Sequence, residues 1–296
     1  MEGTGSSIIS MRLLNKLATW GSLVKFSHSV FALPFALMMV VFVSRARPIT
    51  AVDFSALILC IVAARTAAMG FNRWVDAEID KVNPRTVNRE IPKGLVSKKE
   101  VGVLIASSSA IFLMGAWLLG HHCVVLAPAV LGVLFGYSLV KRYSSLCHLV
   151  LGVSLSLAPG GVWYALTAEW SWQPVPIMVA VALWVAGFDI LYSCQDESVD
   201  RELGLFSIPR VVGAQRAIGI AALLHGVSLA LLVWGGALFS VGAMYYCGVA
   251  LFGALIASQY VAIQSKGIAC VDQVFFTRNG AASVMLFTAA LLDRAF

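Results

Sequence analysis

Ten of the fifteen Asp and Glu residues fall in two short segments, 72–100 and 189–202. The first holds Asp76, Glu78, Asp80, Glu90 and Glu100, the second Asp189, Asp196, Glu197, Asp200 and Glu202. Two motifs of one spacing run through them, Asn72-x-x-x-Asp76-x-x-x-Asp80 and Tyr192-x-x-x-Asp196-x-x-x-Asp200. Corresponding members stand 120 residues apart, a register that an internal duplication explains simply. On an α-helix a spacing of four turns through about 400°, so successive members lie within ~40° and ~6 Å of each other. Each motif therefore predicts a polar stripe on one helix face. Carboxylates stacked in this way repel unless a cation sits between them. Oxygen donors without His or Cys suit Mg2+ or Ca2+ rather than zinc, and Mg2+ takes one or two carboxylates plus phosphate oxygens. Two facing stripes thus point to a metal–diphosphate complex. Solvated charges at helix ends are the plainer alternative, but they do not account for two matching motifs.

Basic residues follow the first motif. After Asp80 the chain reads Lys81-Val-Asn-Pro-Arg85-Thr-Val-Asn-Arg89-Glu-Ile-Pro-Lys93-Gly. Pro84 should end the helix, leaving Arg85, Arg89 and Lys93 on a loop able to fold over the site. Arg forms bidentate contacts to phosphate, and Lys141-Arg142 supplies a second cationic pair. For any one of these cations, anchoring to anionic lipid is an equal alternative.

The elements that must carry these residues are set by composition. Only 12% of the 296 residues are charged, 59% are hydrophobic, and mean hydropathy is +0.86. Soluble domains carry about 25% charged residues. A soluble enzyme, a nucleic-acid-binding domain and a disordered chain are all poor fits, so the net charge of +6 is no sign of nucleic acid. Residues 101–140 and 217–265 contain no Asp, Glu, Lys or Arg. Each can hold two spans of the ~20 apolar residues that cross a bilayer.

Hydropathy predicts an all-α polytopic membrane protein, a single domain over 1–296 with nine spans in one bundle around a cytoplasm-facing site. The spans run 22–43, 51–71, 101–120, 123–140, 146–168, 174–194, 211–234, 237–263 and 279–295. A tight turn near Gly120–His122 separates the third and fourth, and Pro159-Gly160-Gly161 should loosen the fifth. Seventeen Lys and Arg fall on one side, against Arg45, Arg47 and Arg294 on the other, with Arg65 inside the second span. The positive-inside rule then places the N-terminus and both motifs in the cytoplasm and the C-terminus outside. The six cysteines show no paired spacing and read as small buried hydrophobes. Residues 1–20 do not read as a cleavable signal peptide.

Asn72–Gly94 resembles the first signature of the UbiA superfamily of membrane aromatic prenyltransferases, N-D-x-x-D-x-x-x-D followed by a basic loop. Tyr192–Pro209 resembles its second acidic element. Lys25–Leu37, Tyr137–Arg142 with His148 and Gly152, and Phe275–Gly280 extend the likeness over nearly the whole chain. Arg73 stands where many members have Asp, which removes one metal-side carboxylate. The motif variants look most like the 4-hydroxybenzoate polyprenyltransferase branch, which includes enzymes that prenylate a dihydroxynaphthoate in futalosine-route menaquinone synthesis.

The resemblance implies a Mg2+-dependent enzyme of a bacterial inner membrane. It would join a polyprenyl diphosphate to a hydroxylated aromatic acid in ubiquinone or menaquinone synthesis. Asp76, Asp80, Asp196 and Asp200 would hold the metal, with Asn72 as a neutral ligand and Tyr192 beside them. Lys141, Arg142, Arg85 and Arg89 would neutralise the departing diphosphate. Three polar residues inside the spans are further candidates, since ionisable groups at membrane depth usually face a cavity. Arg65 lies roughly on the face of Asn72, Asp189 lies one turn before the second motif, and His28 could orient the acceptor carboxylate. Mutual pairing of Arg65 with Asp189, and a hydrogen-bonded core role for His28, are the structural alternatives. A transporter with intramembrane acidic sites is the alternative from another class. Both motifs on one side of the membrane count against its usual inverted repeats.

Overall fold

The computed structural model describes residues 19–25 and 30–295, apart from the side chains of residue 269 and residues 272–275. Helix α1 (Leu33–Val43) starts on Pro34, which fits the first turn because its missing N–H would be unpaired there. Helix α2 (Ala51–Val75) opens with a capping box, Thr50 and Asp53 each bonding the other's backbone N–H. It breaks at Asp76 into the short α3 (Ala77–Val82). Ser97 and Glu100 form a second capping box for α4 (Lys98–Leu119). Helix α5 (His121–Val140) follows after one residue, Gly120 at φ +129°, a conformation that a Cβ would strain.

The second half repeats this order. Helices α6 (Cys147–Thr167) and α7 (Val175–Ser193) lead to a 3-10 turn at Cys194–Asp196 and the short α8 (Glu197–Glu202). After α9 (Ile208–Val212) come α10 (Ala214–Leu238), α11 (Ala243–Lys266) and α12 (Val271–Ala295). The offset of 120 residues holds for the short helices themselves, 77–82 against 197–202. Asp76 and Asp196 both sit at the break, with ψ of 2° and 5°.

Among the described residues seven helices are long and apolar enough to cross a membrane: α2, α4, α5, α6, α7 with its continuation, α10 and α11. This is an integral membrane protein. The expected count of nine is not reached on that measure. The first predicted span, 22–43, is represented by the 11-residue α1 beginning at Leu33, while the last, 279–295, is the later part of the 25-residue α12. Helix α6 runs unbroken through Pro159, so the expected loosening does not occur. Gly160 instead makes room for the Met178 side chain of α7, and a Cβ on Gly152 would fall 2.1 Å from the carbonyl oxygen of Ala182. Small residues here let α6 and α7 approach closely, the usual means of packing helices in lipid.

The largest core cluster joins α1 to the helices of the second half. Trp184 of α7 is fully buried among Phe31, Phe35, Phe188 and Phe252, which tie α1, α7 and α11 together. Its indole N–H donates to Asn279 Oδ1 at 3.0 Å, and Gln259 donates to the same oxygen. At the end of the bundle away from the acidic motifs, Arg45 pairs with Asp293 and Arg47 with Asp53. All six cysteines are free thiols.

Candidate active site

A cavity of about 850 Å³ is enclosed by α2, α4, α5, α6 and α7. Its mouth is lined by Asn72, Asp76, Asp80, Arg85, Arg89, Lys141, Tyr192, Asp196 and Asp200. Its shaft is apolar, with Leu57, Ile61, Ala64, Phe112, Leu126 and Leu155, and it reaches Tyr164, Glu169 and Trp170 near the other end. Among the described residues α10 and α11 contribute nothing to its wall. The chemistry-bearing residues picked from the two motifs therefore converge on one opening.

The first acidic motif is buried and held by cations from elsewhere in the chain. Asp76 ends α2, where the negative end of the helix dipole opposes a carboxylate. Lys141 Nζ at 2.7 Å and Arg142 Nη2 at 2.9 Å, both from the end of α5, offset this. Arg142 also donates to the Val75 carbonyl, one of the acceptors left open at the helix end. Asn72 donates to Asp76 and to Ser138 Oγ. Arg89 Nη1 bonds both oxygens of Asp80, at 2.7 and 2.9 Å. Asp76 is 1% and Asp80 3% exposed, so these partners rather than water satisfy their oxygens.

The second motif is met by one guanidinium. Arg85 grips Asp196 in bidentate fashion, Nε to Oδ1 at 2.9 Å and Nη2 to Oδ2. Its Nη1 donates to the Tyr192 hydroxyl at 2.8 Å while its plane lies 4.7 Å from the centre of that ring. Asn83 adds a bond to Asp196. Asp200 lies on the cavity wall with Ser207. The loop after α3 thus folds over the mouth as expected for Arg85 and Arg89, whereas Lys93 is exposed and outside the cavity lining. Asn83 and Ser138 lie inside the Asn72–Gly94 and Tyr137–Arg142 stretches but outside the periodic acidic motifs, so spacing did not single them out.

Among the described residues no three His, Cys, Asp or Glu groups converge as a closed metal cage. What the mouth offers is carboxylate oxygens on two opposed walls. That donor set fits Mg2+, which keeps waters and completes its octahedron with phosphate oxygens, better than it fits zinc.

Deeper in, the alternative in which Arg65 pairs with Asp189 is not realised. Arg65 Nη2 donates to the Lys25 carbonyl at 3.1 Å, and among the described residues its buried Nε has no partner. Asp189 bonds His148 Nδ1 at 2.7 Å instead. Arg65 and Asp189 both line the cavity but bond other segments, Lys25 and His148. Arg73, the departure from the family pattern, is buried and donates to the Leu23 carbonyl, so it tethers the N-terminal segment rather than serving the metal side. His28 lies outside the described residues.

The profile of the UbiA prenyltransferase family matches residues 32–280. A 4-hydroxybenzoate octaprenyltransferase from Vibrio vulnificus is 28% identical over 222 residues, covering 75% of this chain and 78% of its own. The apo structure of a UbiA homologue from Aeropyrum pernix K1 superposes with a TM-score of 0.82 at 31% identity, covering 90% of this chain and 98% of that one. A UbiA homologue from Archaeoglobus fulgidus bound to GPP and Mg2+ shares the fold, with a TM-score of 0.72 at 14% identity over 94% of this chain and 100% of that one.

Proposed function

The chain belongs to the UbiA prenyltransferase family, and from that premise we propose that it transfers a polyprenyl group from a polyprenyl diphosphate to a ring carbon of a hydroxylated aromatic acid. The observation that carries this reading is the single cavity joining a charged mouth to an apolar shaft. A diphosphate head belongs in the mouth and a hydrocarbon tail in the shaft. The acceptor would be 4-hydroxybenzoate, as named for the Vibrio relative, or a dihydroxynaphthoate, in quinone synthesis.

Asp76, Asp80, Asp196 and Asp200 would hold Mg2+, with Asn72 beside them. Bound Mg2+ supplies positive charge that stabilises the departing diphosphate. Arg85, Arg89, Lys141 and Arg142 need only change acceptor, from carboxylate to phosphate oxygen, to add their own charge where it develops. Tyr192 keeps the Arg85 plane fixed for that contact. The allylic carbon gains cation character as its bond to oxygen breaks, and the electron-rich carbon ortho to the acceptor hydroxyl attacks it. Arg65 is the cation for the acceptor carboxylate: it lines the cavity below the mouth, and among the described residues its buried Nε–H lacks a partner. The site faces the cytoplasm of a bacterial inner membrane, with the N-terminus cytoplasmic and the C-terminus outside, by the distribution of Lys and Arg.

The test is direct. Purified enzyme with Mg2+ and a radiolabelled polyprenyl diphosphate is given a panel of aromatic acids that includes 4-hydroxybenzoate and dihydroxynaphthoates. A lipophilic product from one of them, lost on chelation and in Asp76→Ala and Asp196→Ala, is expected. No prenylated product from any acid or phenol would overturn the reading.

A further inference from the structure

The end of the shaft away from the mouth is a built wall. It is lined by Tyr164 of α6 and by Glu169, Trp170, Ser171 and Pro174 of the connection to α7. The Trp170 ring packs on that of Tyr164, with centroids 4.7 Å apart and planes tilted by 37°. The His122 ring at the start of α5 meets Tyr164 edge-on at 5.3 Å. Three rings from α5, α6 and the connection thus form one cluster across the base of the cavity.

The cluster is fastened by the carbonyls that end α6, which have no partner inside the helix. Ala168 turns left-handed at φ +58°, and its N–H donates to the Tyr164 carbonyl at 2.9 Å. His122 Nε2 donates to the Ala165 carbonyl at 3.2 Å, and Arg47 donates to that of Leu166. The Trp163 indole N–H reaches forward to the Glu169 carbonyl at 3.1 Å, one residue before Trp170. Gly120 leaves room for His122, since a Cβ there would fall 2.8 Å from its ring. Tyr164 and Trp170 are therefore held at both ends of the turn that carries them.

Indoles near the ends of membrane helices commonly anchor in the headgroup region. Trp172 fits that role, being 85% exposed and absent from the cavity lining. Trp170 is nearly as exposed, at 79%, yet it lines the cavity and packs on Tyr164. We propose that Tyr164 and Trp170 form the floor of the prenyl shaft and set the tail length beyond which affinity stops rising. This rests on the prenyl-transfer reading above and names a specificity device of the same site.

Depth gives the floor its consequence. From Lys141 at the mouth to Cys123 on the wall beside the floor, α5 runs eighteen residues, ~27 Å along its axis. A tail shorter than the shaft leaves apolar wall unfilled, so each added isoprene unit takes more hydrocarbon out of water. An extended geranylgeranyl tail fits within that depth, and an extended solanesyl tail does not. Units beyond the floor must fold back or push aside a fastened ring, and they add no further burial against the wall. Cys123, next in sequence to His122, marks the floor level with a thiol.

Wild-type enzyme, Trp170→Ala, Tyr164→Ala and Trp172→Ala are compared on the preferred acceptor with geranyl, farnesyl, geranylgeranyl and solanesyl diphosphates. A second measurement needs no turnover. It follows alkylation of Cys123 by N-ethylmaleimide, read by mass spectrometry, with Mg2+ and the unreactive thiodiphosphate of each tail. In Trp170→Ala and Tyr164→Ala the kcat/KM ratio of solanesyl to geranylgeranyl diphosphate should rise roughly tenfold. Geranyl diphosphate should be unaffected, and Trp172→Ala should match wild type. In wild type the geranylgeranyl and solanesyl compounds should protect Cys123 and the geranyl compound should not. Should Tyr164→Ala fail to fold, Trp170→Ala carries the comparison, its side chain being largely exposed. An unchanged length profile in Trp170→Ala, or the same change in Trp172→Ala, would overturn the proposal and leave the transfer reading intact. Cys123 unprotected by every tail would do the same, since tails would then leave the shaft sideways between helices. A wild type that prenylates no aromatic compound would overturn the transfer reading, and Cys123 protection would still judge the floor.

Discussion

Helix α2 breaking at Asp76 and helix α7 breaking at Asp196 are one device placed 120 residues apart, yet their surroundings have diverged. The four cations that hold the acids all come from the first half: Arg85 and Arg89 from the loop after α3, Lys141 and Arg142 from the end of α5. At the matching positions the second half carries Leu205, Pro209, Val261 and Ala262. The interiors diverge as well. The first half shares the cavity wall with α6 and α7 and has small buried clusters around Cys60, Phe112 and Leu131 and around Leu23, Val96 and Val101. The second is filled around Trp184 and knotted by Asn279, Gln259, His225 and Tyr260. Acids and cavity wall are thus presented from both halves, binding charge comes from the first, and the largest packed cluster is centred in the second.

That contrast can be broken by measurement. The largest effect should come from the acids. Asp76→Asn strands two cations beside a nearly inaccessible site and should cost roughly 10²–10³-fold in kcat. Asp196→Asn should cost less, since Arg85 keeps its contact with Tyr192. Equal or reversed losses would show that the two acidic walls are not differently supported. Next come the interiors. Trp184→Ala should lower stability by about 3–5 kcal/mol in detergent unfolding and leave KM for prenyl diphosphate alone. Phe112→Ala, on the cavity wall, should destabilise less but change the preferred tail length among geranyl, farnesyl, geranylgeranyl and solanesyl diphosphates. A smaller effect is expected from Arg85→Lys, which keeps the charge and loses the bidentate grip: KM for prenyl diphosphate should rise roughly tenfold.

The smallest concerns Glu78 on α3, outside the mouth. Its hydrogen bonds to Lys81 and Lys98 pull its carboxyl from 4.5 to about 2. The stabilisation is therefore present above 4.5 and lost as pH falls through about 2. Glu78→Gln should lower the unfolding temperature slightly at neutral pH, and the difference from wild type should vanish at about pH 2.

Much of the site was legible because its signal is periodic. Spacing of four residues and a repeat of 120 identify Asn72, Asp76, Asp80, Tyr192, Asp196 and Asp200 without coordinates, and Pro84 marks the loop that carries Arg85 and Arg89. Asn83 and Ser138 escaped because a single amide or hydroxyl has no periodicity to betray it. Arg73 was visible as an anomaly, but its work on the Leu23 carbonyl depends on a segment fifty residues away.

The sequence by itself determined the membrane class, the side on which charge gathers and the two acidic stripes, because hydropathy and helical spacing are local properties. Tertiary structure decided which cation meets which acid, that Arg65 and Asp189 do not pair, that α6 passes straight through Pro159, and that His148 reaches Asp189. Those outcomes depend on how closely helices distant in the chain approach one another, and that is set by packing contacts such as Gly152 on Ala182.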